Sequence, residues 1–120
     1  MVKKTEYFRA LTIAGLDNSG GAGIQADLKT FSALDCCGMS IIAALTAQNT
    51  QGVNGIQEIP PEFIAKQLLS IIEDIKIDVV KIGMLFNIST IKEVAKHLHE
   101  NKFSKVVLDP VMFAKSGDRL

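Results

Sequence analysis

Five small residues, Ser19-Gly20-Gly21-Ala22-Gly23, stand between an apolar stretch and a helical pattern. Glycines there let a ligand approach the backbone, and the first amides of the following helix point outward as donors. Gly21, Gly23 and Ala26 also fit the G-x-G-x-x-A spacing of a dinucleotide fingerprint. That fingerprint needs an acidic residue about 20 positions on, at the end of the second strand, to hold the ribose. The second strand here ends in Thr46-Ala47-Gln48-Asn49, without a carboxylate. A Walker A loop is absent too, because Lys115-Ser116 follows Ala114 and no Gly-Lys-Ser/Thr occurs. The loop is therefore expected to face a ligand other than a nicotinamide dinucleotide.

Asp27 is the most informative single residue. At about 100° per residue, Ile24, Leu28, Phe31 and Leu34 form one apolar arc and Asp27 falls inside it, while Gln25, Lys29 and Ser32 take the polar side. A carboxylate facing a sheet costs several kcal/mol unless it is paired or hydrogen-bonded. It is either a cap or buried ion pair with a lysine, or an acceptor for a polar ligand one turn into the helix. Gln48 and Asn49 follow an apolar strand, and their amides suit either the edge of a heteroaromatic ring or loop solvation. Met84, after Gly83, offers a soft wall for a planar ring or fills core space. Asp109, before Pro110, could lie near a metal or phosphate or open a turn. His97 lies off the apolar arc of its helix, four residues after Glu93, and reads as a solvated residue; a cation near a helix C-terminus accounts for it and for His99. The adjacent Cys36 and Cys37 rarely close a disulfide without strain and read as two small, partly buried residues before a strand. No nucleophile–base pair and no metal-ligand set emerges.

The elements that must position these residues alternate in period. Residues 8–14 form an apolar strand, 23–34 a helix, and 39–47 a second buried strand. The polar stretch 48–55, with two glycines, is expected to be a loop or flap. Residues 58–74 are a helix opening near Pro60-Pro61, with Ile64, Leu68, Ile71 and Ile75 at helical spacing. Residues 79–82 form a third strand, 89–100 a helix with Ile88, Ile91, Val94, Ala95 and Leu98 on one arc, and 105–108 a fourth strand. Such alternation means βαβ units and a mainly parallel sheet with helices on its faces. Ligands of such sheets bind outside the carboxyl ends of the strands. Polar and glycine residues crowd those ends at 15–17, 48–49, 83–84 and 109–110.

Of 120 residues, 48% are hydrophobic and 22% charged, a globular composition. Thirteen Lys and Arg balance thirteen Asp and Glu, which argues against a nucleic-acid partner held by its phosphates. No apolar run approaches the roughly 20 residues needed to span a bilayer, so no membrane association is expected. The N-terminal residues lack the apolar core of a secretory signal, and a cytoplasmic location is expected.

Four segments in order, ALTIAGLDNSGGAGIQADLKTFSAL, ALTAQNTQGV, KIGML and VVLDPVMFAKSGDRL, closely resemble the N-terminal half of the hydroxymethylpyrimidine/phosphomethylpyrimidine kinases of thiamine biosynthesis, in the ribokinase-like superfamily. The resemblance implies a three-layer αβα, Rossmann-like fold with a mainly parallel sheet, truncated so that residues 1–120 are the N-terminal part of one kinase domain. It implies ATP-dependent, Mg2+-assisted phosphorylation of 4-amino-5-hydroxymethyl-2-methylpyrimidine and of its monophosphate. The positions of Gly15, Asp27 and Gln48 would hydrogen-bond the pyrimidine; Ala22, Met84 and Val111 would line its apolar walls; Asp109 would lie nearer the transferred phosphate. Pyridoxine or pyridoxal phosphorylation, and a non-catalytic pyrimidine-binding module, are the alternatives. The chain departs from the family at Asn18, commonly proline, at Asp35, commonly glycine, and at Cys36-Cys37, a variable pair; none of these is expected to touch the pocket. Family members are roughly twice as long, and their second half carries the nucleotide site and the catalytic residue. The 120-residue chain by itself is accordingly expected to hold no catalytic or metal residue and to be inactive. Its open sheet edge and uncovered helix face invite association, and a homodimer is one expected assembly.

Overall fold

The computed structural model describes residues 6–113 and Gly117. The last residues of the fourth family-like segment, 114–116 and 118–120, lie outside the described residues. Strand β1 (Arg9–Asp17) leads into helix α1 (Gly23–Ala33), then β2 (Cys37–Asn49) and β3 (Gly52–Glu58). Helix α2 (Pro61–Ile72), β4 (Val79–Ile82), α3 (Ile88–Glu100) and β5 (Val106–Leu108) follow. The sheet order is β3-β2-β1-β4-β5, parallel throughout except for the antiparallel β2–β3 pair.

Alternation along the strands divides the two faces by size. Leu11, Ile13, Met39, Ile41, Val80 and Ile82 project to one side and pack with Ile64, Leu68 and Val94 of α2 and α3. That side is the main core. Ala10, Thr12, Ala14 and Gly38 project to the other, where α1 lies on β1 and β2. A Cβ at Gly38 would come within 3.1 Å of both the Leu28 and Phe31 side chains, so helix and strand already touch there. Chain direction explains the arrangement. The β1→β2 and β4→β5 crossovers run in opposite directions across the sheet, and right-handed connections then put their helices on opposite faces. Pro61 opens α2, where a missing N–H costs nothing. The side chain of Asn87 caps α3 by accepting from the Thr90 amide at 2.8 Å. Just past α1, Asp35 takes φ +56°, a left-handed conformation that Asp tolerates better than most residues.

Three expectations need correction. The stretch 48–55 is not a loop: β2 runs on to Asn49, and β3 returns beside it. Asn49 Oδ1 accepts from the amides of Gln51 and Gly52 and shapes the turn. A two-stranded ribbon with little packed on it can be polar, which hid the strand; Glu58 ends β3 rather than starting the helix. His97 is buried, only 6% exposed, with Nε2 3.0 Å from Glu93 Oε1. Helix α3 turns Thr90, Val94 and His97 inward and leaves Ile88 70% exposed, a rotation that the apolar arc did not foretell. Cys37 is exposed and begins β2, and Cys36 is half-buried.

Strand β2 is longer than β3, so Ile42 has no strand partner on that edge. The Gln67 side chain supplies one: its Oε1 accepts from the Ile42 amide at 2.9 Å and its Nε2 donates to the Ile42 carbonyl at 3.0 Å. At the opposite edge, β5 leaves Val106, Val107 and Leu108 exposed. No helix among the described residues is long and apolar enough to cross a membrane.

Gln67→Ala should destabilise the chain by about 1–3 kcal/mol, because two backbone groups lose their partners together. Leu69→Ala, on the exposed side of the same helix, should change it by less than about 1 kcal/mol. Denaturant unfolding of both variants measures the difference.

Candidate functional site

The carboxyl ends of β1, β2 and β4 surround a cavity of about 540 Å³, within the usual range for a small-molecule site. Gly15, Ala22, Gln48, Met84, Asp109 and Val111 all line it, together with Ala14, Thr46, Val53 and Gly83. Asp27 does not line it.

The glycine-rich turn is built differently from an open anion cradle. Asp17, only 4% exposed at the end of β1, folds its carboxylate back into the turn. Its Oδ1 accepts from the Ser19 amide at 2.9 Å and the Ser19 hydroxyl at 2.6 Å, and its Oδ2 from the Gly21 amide at 3.0 Å. Burial pushes the Asp17 carboxyl up. The bonds from the Ser19 hydroxyl and from the Ser19, Ala22 and Gly21 amides outweigh that and hold it below the usual carboxylate range. The turn amides of Ser19 and Gly21 are thus satisfied from within, whereas the first amides of α1 have no side-chain cap. Gly23 closes the turn at φ +58°, and a Cβ there would run into the Gly15 carbonyl oxygen.

Gln48 is oriented by a short relay. Its Nε2 donates to Thr46 Oγ1 at 2.7 Å, and that hydroxyl donates to the Leu16 carbonyl at 2.7 Å. The remaining N–H and Oε1 of the amide suit a partner with adjacent donor and acceptor atoms. The Gln48 backbone N–H donates to Asn18 Oδ1 at 2.8 Å. Asn18 itself does not line the cavity, as expected, but it braces the cavity-lining Gln48 through a bond that a proline there could not make. Met84 lays its methyl over Gly15: a Cβ on Gly15 would stand 2.6 Å from Met84 Cε. Glycine at this position lets the thioether form an apolar wall.

Asp27 takes the ion pair with a lysine that the sequence reading set beside a direct ligand contact. Its Oδ2 accepts from Thr12 Oγ1 at 2.6 Å and from Lys81 Nζ at 2.9 Å, and its Oδ1 from Lys81 Nζ at 3.1 Å. The physical reason is direct: a carboxylate turned to the sheet needs a balancing charge, and Lys81 is on the facing strand. Lys81 and Asp17 escaped the sequence reading. The signal for Lys81 was a lone cation in the otherwise apolar strand VVKI, and for Asp17 an acid two residues before a serine in a turn.

Among the described residues no group of three or more His, Cys, Asp or Glu could hold a metal ion. With the turn amides occupied and Asp17 at the wall, these residues do not fit a nucleoside triphosphate and its metal.

The family model described as phosphomethylpyrimidine kinase matches residues 17–120. The hydroxymethylpyrimidine/phosphomethylpyrimidine kinase of Escherichia coli is 58% identical over 111 residues, 92% of this chain and 42% of the relative. A crystal structure of phosphomethylpyrimidine kinase from Clostridium difficile superposes with a TM-score of 0.88 at 50% identity, over 94% of this chain and 49% of that one. A Bacillus subtilis pyridoxal kinase in complex with ADP superposes with a TM-score of 0.83 at 40% identity, over 92% and 44%. The chain spans less than half the length of these relatives.

Asp17→Asn should destabilise the chain by about 2 kcal/mol at pH 7, because bonds to a charged acceptor are lost. The folded-state pKa lies below the ordinary 3.8, so the stabilisation is present above that value and is lost as pH falls through the lower one. Denaturant unfolding at pH 7 and near pH 2.5 should therefore show the gap between wild type and variant closing in acid.

Proposed function

This chain belongs to the phosphomethylpyrimidine kinase family, and from that premise we propose that it supplies the substrate-binding half of a thiamine-biosynthesis kinase. The substrate is 4-amino-5-hydroxymethyl-2-methylpyrimidine, and then its monophosphate. ATP gives its terminal phosphoryl group to the substrate oxygen, with loss of the hydroxyl proton and release of ADP. Since the described residues do not fit the nucleotide, ATP and Mg2+ belong to the part of the relatives that this chain does not match. The role of this half is to bind and orient the ring and to exclude water.

The observation that carries the reading is the pairing of Gln48 with Met84 across one cavity. An oriented amide suits the amine and ring nitrogen of an aminopyrimidine, and the thioether suits its face. Gly15, Ala22, Val111 and Asp109 line the same cavity. Asp27 acts one step removed, behind Lys81. The ribokinase-like pyridoxal kinases give the second reading, and 40% identity for the Bacillus subtilis one against 58% for the pyrimidine kinase ranks it below the first.

A chimera tests both. This chain replaces the matching segment of the Escherichia coli relative, and ATP-dependent phosphorylation is followed with the hydroxymethylpyrimidine and with pyridoxal. Preferential turnover of the pyrimidine, with KM raised at least about tenfold by Gln48→Ala, is expected. Preference for pyridoxal would establish the second reading. Tight pyrimidine binding without turnover would make the chain a non-catalytic module.

A further inference from the structure

We propose that Lys81 is a ligand-contacting residue of the cavity, donating to an uncharged acceptor, and that Asp27 and Thr12 are positioning residues acting through it. The inference rests on the reading of the cavity as a site for a substituted nitrogen heterocycle.

Lys81 stands in β4 on the face toward α1, with its side chain 24% exposed, and among the described residues it is the one cation lining the cavity. A lysine so placed needs a counter-charge, and Asp27 provides it from α1. Thr12, fully buried in β1, fixes the same carboxylate oxygen, so three elements set the position of one ammonium. A Cβ at Gly83 would stand 3.0 Å from Lys81 Nζ and 3.0 Å from Ala14 Cβ. The ammonium therefore lies over Gly83, and Gly83 and Ala14 are themselves cavity walls.

An ammonium carries three donors. Two are directed to the Asp27 oxygens, and one is left for the cavity that the side chain lines. The pair has no net charge, and the carboxylate of Asp17 occupies another wall, so a phosphate would find no excess positive charge here. A ring nitrogen or a hydroxyl oxygen accepts one N–H without needing any. A plain structural tie between α1 and β4 would place the same two charges together, but it would not make binding depend on an acceptor atom of the ligand.

That dependence is the test. The full 120-residue chain, carried in the chimera described above, is titrated calorimetrically with three compounds. They are the hydroxymethylpyrimidine, its analogue with CH in place of the one ring nitrogen that does not adjoin the amine-bearing carbon and so lies away from Gln48, and its analogue with methyl in place of hydroxymethyl. The wild type should weaken by about tenfold or more for the analogue lacking the contacted acceptor. Lys81→Met should bind that analogue and the parent compound alike, and Asp27→Asn should reduce the discrimination while leaving the lysine in place. If Lys81→Met is poorly folded, the charge-balanced pair Lys81→Met with Asp27→Asn carries the measurement. Full discrimination retained without Lys81 overturns the proposal, and full discrimination in Asp27→Asn overturns the positioning role. A wild type that binds none of the compounds overturns the reading of the cavity itself.

Discussion

Small side chains on one face of the sheet constrain everything above them. Ala10, Thr12 and Ala14 of β1 and Gly38 of β2 let helix α1 settle close, whereas the other face carries Leu11, Ile13, Ile41 and Val80 under α2 and α3. Only at that close approach can a side chain as short as Asp27 reach Thr12 on one strand and Lys81 on another. The large-residue face supplies most of the apolar burial, and the small-residue face supplies the polar geometry. A larger residue at Thr12 would move the helix, and with it the floor of the cavity.

The turn above that floor is closed on its own acid. Because Asp17 satisfies the amides of Ser19 and Gly21, the turn holds its shape without a bound anion, and it presents a wall that is polar but not anion-seeking. This fits a half-site whose task is to hold a neutral ring by its edge and face. Phosphoryl transfer is largely positioning and charge stabilisation. In the proposed function this chain supplies positioning, and its relatives extend well beyond the part that it covers.

Much of the fold was legible because strand bodies and helix stripes obey their periods. The alternation of 8–14, 39–47 and 79–82 with helical segments led directly to a parallel sheet, and the polar strand ends located the cavity. What was not legible depends on contacts between distant segments. Strand β3 has polar residues because a ribbon is half solvated. His97 is buried because α2 decides how α3 is rotated, not the arc of α3 alone. Asp27 showed itself as a misplaced carboxylate, yet its partner Lys81 lies 54 positions later and could not be paired from spacing. Asn18 looked like a neutral departure from the family until its bond to the Gln48 backbone N–H was seen.

The most direct measurement is a crystal structure of the chain, in the chimera, with the hydroxymethylpyrimidine bound. The account predicts the ring between Met84 and the glycine-rich turn, its edge on the Gln48 amide, and an acceptor atom within about 3.2 Å of Lys81 Nζ. A ring bound outside this cavity, or inside it with Asp27 released from Lys81 to hold the ring itself, would contradict it.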